Sequence, residues 1–341
     1  MAWFRSPPSP PAGPAATVGV LLVNLGTPDA PSYWPIRRYL WAFLGDRRVV
    51  EACPWYWLPL LAGPILTFRP RKTARLYRSI WTEAGSPLLL YTRGLAEGLG
   101  RALEATGARV EFGMSYGEPN ITAAIERLLG AGVERLVVVP LYPQYSGSTT
   151  GAVFDGVTAA LSAYRVLPEL RFVRDYHDDE AYIAALAESV QAVFTAKGRT
   201  HLLCSFHGIP EKYVAKGDPY QAQAVRTTAL LGRALDLPAG DISLSFQSRF
   251  GPTEWLKPYT DDHLLDLVKR GIRRVTVVTP AFAVDCLETL EEIAEESRDK
   301  FLAAGGESFV LVPALNDSPL QVRWLEAYVR RQATGWPGFA G

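Results

Sequence analysis

Cysteine is scarce in this chain: three residues in 341, at Cys53, Cys204 and Cys286. An odd number without paired spacing argues against a disulfide framework and fits a reducing compartment. Long apolar runs are missing too, and no stretch approaches the roughly 18 residues of a membrane-crossing helix. Lys and Arg number 35 and so do Asp and Glu, so no net field draws the chain to nucleic acid. Neither a GxGxxG fingerprint nor a Gly-rich phosphate loop is present, which disfavours a dinucleotide or sugar-phosphate enzyme. The segment 1–17 is rich in proline, lacks the apolar core of a signal peptide and reads as a disordered tail. These absences point to the cytoplasm.

What the chain does contain is 48% hydrophobic and 21% charged residues, enough to fold two domains. Apolar runs that end in turn signals recur at Val18–Pro28, Val110–Gly117, Arg135–Leu141 and Arg171–Val173. They recur again at His201–Phe206, Ile242–Phe246, Arg274–Pro280 and Phe309–Val312. Such runs are strands buried on both faces, hence parallel sheets. Helical patterns alternate with them, among them Tyr33–Leu44, Arg71–Trp81, Tyr91–Thr106, a helix from about Ala152, Asp285–Ala303 and Pro319–Gln332. The expected fold class is α/β: two similar Rossmann-like domains, each a four-stranded parallel sheet flanked by helices, with a ligand cleft between them. The expected domains are 18–165 and 166–313, with a terminal helix in 314–341 that packs back on the first. Ser148, Thr149 and Thr150 either cap the helix that follows them or hold an anion at its start.

Trp55–Leu66 is twelve uncharged residues broken by prolines, with Arg69, Arg71 and Lys72 just beyond. It reads either as core or as an apolar lip resting on a bilayer, a peripheral contact with the inner membrane.

Three stretches carry chemistry. In Leu202–Pro210 a strand ends on His207 and Gly208, which places an imidazole at the sheet's carboxyl edge, where ligands of such folds bind. The alternative is a histidine that only satisfies backbone groups. In the second stretch Asp285, Glu288, Glu292 and Glu296 are spaced to share one helical face. Stacked like charges suit a cation or a proton path; a solvated acidic face is the plainer reading, above all for Glu292 and Glu296. The third, Ser245–Leu256, offers Gln247, Ser248 and Arg249 as donors to a carboxylate and Trp255 as an aromatic face. Its alternative is a polar surface turn. Leu25 and Tyr116 close two strands of the first domain, so an apolar, aromatic site with a polar centre is expected.

The blocks LLVNLGTP (Leu21–Pro28), YPQYSGSTTG (Tyr142–Gly151), SFHGIP (Ser205–Pro210) and GDPY (Gly217–Tyr220) resemble the ferrochelatase family. So do FQSRFG (Phe246–Gly251), WLKPYTDD (Trp255–Asp262) and DCLETLEEI (Asp285–Ile293), in the family's order and nearest to its proteobacterial members. The resemblance implies a chelatase-type fold and insertion of Fe²⁺ into protoporphyrin IX, giving protohaem and two protons at the end of haem synthesis. It implies His207 and Glu288 as catalytic and metal-contacting residues, with Glu292 and Glu296 as a proton or metal path. It implies Leu25, Ser115, Tyr116, Gln247, Ser248, Trp255, Phe282 and Asp285 as porphyrin contacts. Ser115 departs from the arginine many relatives carry, which puts propionate binding from that side in question. Cys286 replaces a histidine of animal enzymes. Gly147 stands where those enzymes have a cluster cysteine and no cysteine follows Cys286, so no [2Fe–2S] cluster and no tightly bound cofactor are expected. Bacterial relatives suggest a monomer. The rivals are a chelatase for cobalt or coproporphyrin III, and a non-catalytic porphyrin or haem carrier that would not need Glu288.

Overall fold

The computed structural model describes residues 4–6, 17–251 and 253–339. Most of the proline-rich tail lies outside the described residues; within it, the Arg5 amide donates to the Ala163 carbonyl.

The chain divides into two compact units. The first holds β1 (Val18–Asn24), β2 (Arg109–Met114), β3 (Arg135–Pro140) and β4 (Glu169–Phe172). They form one parallel sheet in the order β2-β1-β3-β4. The second holds β5 (His201–His207), β6 (Ile242–Gln247), β7 (Arg274–Val278) and β8 (Ser308–Leu311), parallel in the order β6-β5-β7-β8. Both sheets thus repeat one strand order. Every residue of β1 is buried, and β5 is buried up to Phe206, as continuous apolar runs between helical layers require. In each sheet the strand order reverses beside the strand that comes first in sequence. That is where the carboxyl ends of an open α/β sheet form a crevice.

The units do not follow the expected boundaries. The first runs to Leu141, resumes over Gly147–Asp175 and takes the chain from Asp317; the second takes Tyr142–Ser146 and Tyr176–Asn316. The break expected near 165 moves to Asp175 because Glu169–Phe172 pairs with β3. Arg171 fixes the chain's end in the first unit, with Nη1 on the carbonyls of Gln332 and Thr334 and its guanidinium 4.1 Å from the Trp336 ring.

Three local expectations also change. Trp55–Leu66 is helical despite its prolines. Pro54 opens a helix to Leu60, a π-helical turn spans Leu61–Ile65 with a kink at Gly63, and a helix covers Leu66–Ile80. Pro54 sits at the first helical position, where its missing N–H costs nothing, while Pro59 and Pro64 lie inside the helix and the π turn. The segment's first half is not core, since Trp55 is 78% exposed and Tyr56, Leu58 and Leu60 are exposed with it, whereas Leu61 and Leu66 are fully buried. The helix expected near Ala152 starts at Thr150, and Thr149 at its cap makes no side-chain capping bond. Finally, the stretch after Leu287 is a π-helix, Glu288–Ser297, and only then an α-helix, Arg298–Ala303. Its Ile293 is buried in the second unit's core with Leu203, Leu264, Leu267, Val275, Val277 and Phe301. Burying each such side chain stabilises by about 1.5–3 kcal/mol, which holds the irregular helix on its sheet. Among the described residues no helix is long and apolar enough to cross a membrane.

Candidate active site

His207 is the last residue of β5, half-buried, and pairs in register with Gln247 at the end of β6. Its Nδ1 lies 2.6 Å from the Gly208 carbonyl oxygen. A carbonyl only accepts, so Nδ1 carries the proton, and a neutral ring so held has its lone pair on Nε2 for another partner. The rings of Trp255 and Phe282 flank the imidazole, with centroids 6.3 and 6.4 Å away. Trp255 is fixed in turn by its Nε1–H, which donates to the Phe250 carbonyl at 2.8 Å. Gly208 allows this crowding. A Cβ there would stand 2.8 Å from the Gln247 carbonyl oxygen and 3.2 Å from the Trp255 ring.

Around this histidine the polar residues bind one another. Gln247 is buried; its Oε1 accepts from Ser205 Oγ and its Nε2 donates to the Glu288 carbonyl at 3.0 Å. Gln247 therefore ties the first residue of the π-helix to the sheet. Ser248 is engaged similarly. Its amide and hydroxyl both donate, at 2.7 and 2.5 Å, to a carboxylate, but that carboxylate belongs to Glu292. The backbone at Ser248 adopts φ +67 to make this grip, in the left-handed region that non-glycine residues seldom occupy. Burial pushes the Glu292 pKa up, while the Ser248 bonds and the nearby His207 hold it down.

Asp285 is buried and turned into its own loop. Its Oδ1 accepts from Thr289 Oγ1 at 2.8 Å and its Oδ2 from Asn316 Nδ2 at 2.7 Å, and its amide donates to Asn316 Oδ1. In this way it positions the start of the π-helix. The face of four carboxylates is thereby reduced to three. Four-residue steps keep Glu288, Glu292 and Glu296 near one face of the π-helix, while Asp285 lies in the loop before it. Glu288 is half-buried and lies against Cys286, whose thiol is pushed up by burial first and by that carboxylate second. Cys204 is likewise buried, its thiol pushed up to about 12. Both cysteines are inert packing groups. Glu296 is exposed and paired with Lys300. Among the described residues no three His, Cys, Asp or Glu side chains are grouped to hold a metal ion.

In the first unit, Leu25 and Ser115 are half-buried at the carboxyl edge of β1 and β2. The Tyr116 amide donates to the Leu25 carbonyl, and the Ser115 Oγ is buried without a hydrogen-bond partner. Gly26, at φ +105, makes this closeness possible, since a Cβ there would lie 1.7 Å from the Tyr116 carbonyl oxygen. Tyr116 itself is buried, its phenol donating to Asp46 Oδ2 at 2.6 Å and its ring edge-on to Phe43. It is a support for this edge more than a bare wall.

The structure thus gathers His207, Trp255, Phe282, Gln247, Ser248, Glu288 and Glu292 at one edge of the second unit. Two contributors escaped the sequence reading. Lys300 was within reach, one further four-residue step along the acidic row. Asn316 carried no signal, being 31 residues from Asp285 in a turn.

The family model described as ferrochelatase matches residues 17–333. Ferrochelatase 1 of Shewanella oneidensis is 49% identical over 327 residues, 95% of this chain and 98% of the relative. Ferrochelatase of Vibrio cholerae is 49% identical over 314 residues, 92% and 97%. Among solved structures, SirB from Bacillus subtilis with Fe³⁺ superposes with a TM-score of 0.57 at 14% identity, covering 95% of this chain and all of that one. That likeness speaks for the fold of two parallel α/β units. Matched over nearly its whole length at about half identity, with the histidine-ended β5 and the acidic π-helix inside the matched region, this chain belongs to the ferrochelatase family.

Proposed function

We propose that the chain is a lyase that inserts Fe²⁺ into protoporphyrin IX, releasing two protons, with His207 and Glu288 at the reacting centre. The observation that carries this is the 2.6 Å contact of His207 Nδ1 with the Gly208 carbonyl, which leaves Nε2 as the base, on a ring flanked by two aromatic side chains. Two pyrrole N–H protons must leave as the metal enters, and a neutral imidazole accepts one of them. Glu292, whose pKa burial raises, is placed to take up and pass on a proton. Imidazole and carboxylate also suit Fe²⁺ as ligands, and Fe²⁺ is here substrate, not resident cofactor. Trp255 and Phe282 offer apolar faces to a flat macrocycle, and Leu25, Ser115 and Tyr116 are further porphyrin contacts by family resemblance. The test is anaerobic turnover of protoporphyrin IX and Fe²⁺, followed by the porphyrin spectrum. Wild type should turn over and His207→Ala should not. Tight porphyrin binding without insertion in wild type would favour a carrier, and preference for coproporphyrin III or cobalt would favour the other chelatases.

The proposal places the enzyme in the cytoplasm, as a monomer, in peripheral contact with the inner membrane through Trp55–Leu66. Tyr33–Ile80 carries nine Lys and Arg against two Asp and Glu, in a chain whose charges balance. It exposes Trp34, Trp41, Trp55 and Phe68, and a surface cavity of about 450 Å³ there is lined by Arg37, Arg38, Trp41 and Ala62. Aromatic side chains beside basic ones suit an anionic lipid surface. Co-sedimentation with phosphatidylglycerol vesicles, lost in phosphatidylcholine and in a Trp55→Ser, Leu60→Ser variant, is the expected result.

A further inference from the structure

The acidic row ends in a cation. Lys300 follows Glu296 by four residues, and its ammonium lies 2.6 Å from Glu296 Oε1 and 2.5 Å from Asp261 Oδ2. Asp261 stands in the first turn of the helix Thr260–Lys269, and its other oxygen accepts from Ser297 Oγ at 2.8 Å. Two chain segments far apart in sequence thus bring two carboxylates onto one ammonium. Exposure rises outward along the row: Glu288 and Glu292 are half-buried, Glu296 and Lys300 exposed.

Without Lys300, Glu296 and Asp261 would be two facing carboxylates at the solvent end of the row. Such a pair repels itself and is an oxygen-ligand trap for any divalent cation that arrives. An ammonium on a flexible four-carbon stem fills the place with a single charge and can swing aside. An exposed ion pair is worth only about 0.2–1 kcal/mol, so an incoming dication displaces it readily.

We propose that Lys300 is a positioning residue, a tethered counterion that keeps the outer carboxylates from retaining Fe²⁺ and so lets the metal pass inward toward Glu292, Glu288 and His207. The inference rests on the reading of Glu292 and Glu296 as the metal path.

Lys300→Gln, Lys300→Arg and Glu296→Gln, compared with wild type, test it through KM for Fe²⁺, KM for porphyrin, kcat and thermal stability. In Lys300→Gln the KM for Fe²⁺ should fall about 1.4- to 5-fold, the range an exposed ion pair spans, and kcat should fall with it. The porphyrin KM should not move, and Lys300→Arg should restore wild-type values. Co²⁺ titrated into the porphyrin-free protein should bind more tightly to Lys300→Gln by the same factor. An unchanged KM for Fe²⁺ in Lys300→Gln, with Glu296→Gln raising it, overturns the role of Lys300 and leaves the path standing. No effect of Glu296→Gln overturns the path, and the role of Lys300 with it. Loss of stability with equal changes in both KM values would mark Lys300 as structural only and also overturn the proposal.

Discussion

Ser248 holds the carboxylate of Glu292 with both its amide and its hydroxyl, across 44 residues of sequence. A carboxylate gripped twice cannot swing among rotamers, so its second lone pairs keep one direction toward the site. Replacing Ser248 with Ala leaves the amide bond and removes the hydroxyl one. A hydrogen bond to a charged group is worth about 1.5–3 kcal/mol, so Fe²⁺ insertion should slow about 10-fold or more if the bond is kept in the transition state. Ser248→Gly also loses the hydroxyl but relaxes the φ of +67, and should melt higher than Ser248→Ala at similar activity. Steady-state rates beside thermal melts separate the two effects.

Asp285 should matter to folding more than to substrate affinity. Thr289, Asn316 and the Ala314 amide all bond its carboxylate, and removing it takes a partner from each of them, from Thr289 in a fully buried place. Each unsatisfied buried group costs about 1–3 kcal/mol, so Asp285→Ala should be strongly destabilising in urea, with the porphyrin KM of the remaining folded enzyme little changed. A raised porphyrin KM at unchanged stability would return Asp285 to the ligand.

The contrast between these residues shows what could be read in advance. β1 and β5 were legible because a strand covered on both faces must be apolar throughout, and His207 because a titratable residue followed by glycine closes such a strand. The partners of Gln247 and Ser248 were not legible. A polar residue after a strand looks the same whether it faces a ligand or, as here, the π-helix 41 and 44 residues on. The π-helix itself leaves no trace in residue type. Its wider turn is set by packing of Ile293 and by the anchors at Gln247 and Ser248, all of them tertiary.

Stability should fall as the solution is acidified, through a pair of histidines away from His207. His201 and His263 both place Nε2 on Ser243 Oγ, at 2.7 and 2.9 Å. Burial, first among the causes, lowers both pKa values from the ordinary 6.5; Arg270 faces both and lowers them further, while Asp241 and Asp266 pull the other way. The folded protein therefore binds these protons less readily than the unfolded chain. Their contribution is complete above pH 6.5 and is lost as pH falls through the depressed folded values. Melting temperature should drop between about pH 7.5 and pH 5, and a His263→Gln variant, which keeps a donor for Ser243, should flatten the slope. A slope unchanged in that variant would assign the loss to other groups.

Gly208→Ala tests whether the geometry around His207 is as tight as the contacts imply. The added methyl would meet the Gln247 carbonyl at 2.8 Å, and backbone at that point cannot retreat without unpairing β5 from β6. The chain should yield at the loop instead, carrying the imidazole and the Trp255 ring with it. A misplacement of about 1 Å at a reacting group costs on the order of 100-fold in rate, whereas the loop sits at a sheet edge where strain is absorbed with modest loss of stability. The variant should therefore fold and melt within a few degrees of wild type, yet insert Fe²⁺ far more slowly, with altered Trp255 fluorescence. Wild-type activity would mean that the imidazole tolerates displacement, and Nε2 would then be an unlocalised base, inconsistent with a proton acceptor fixed by the Gly208 carbonyl.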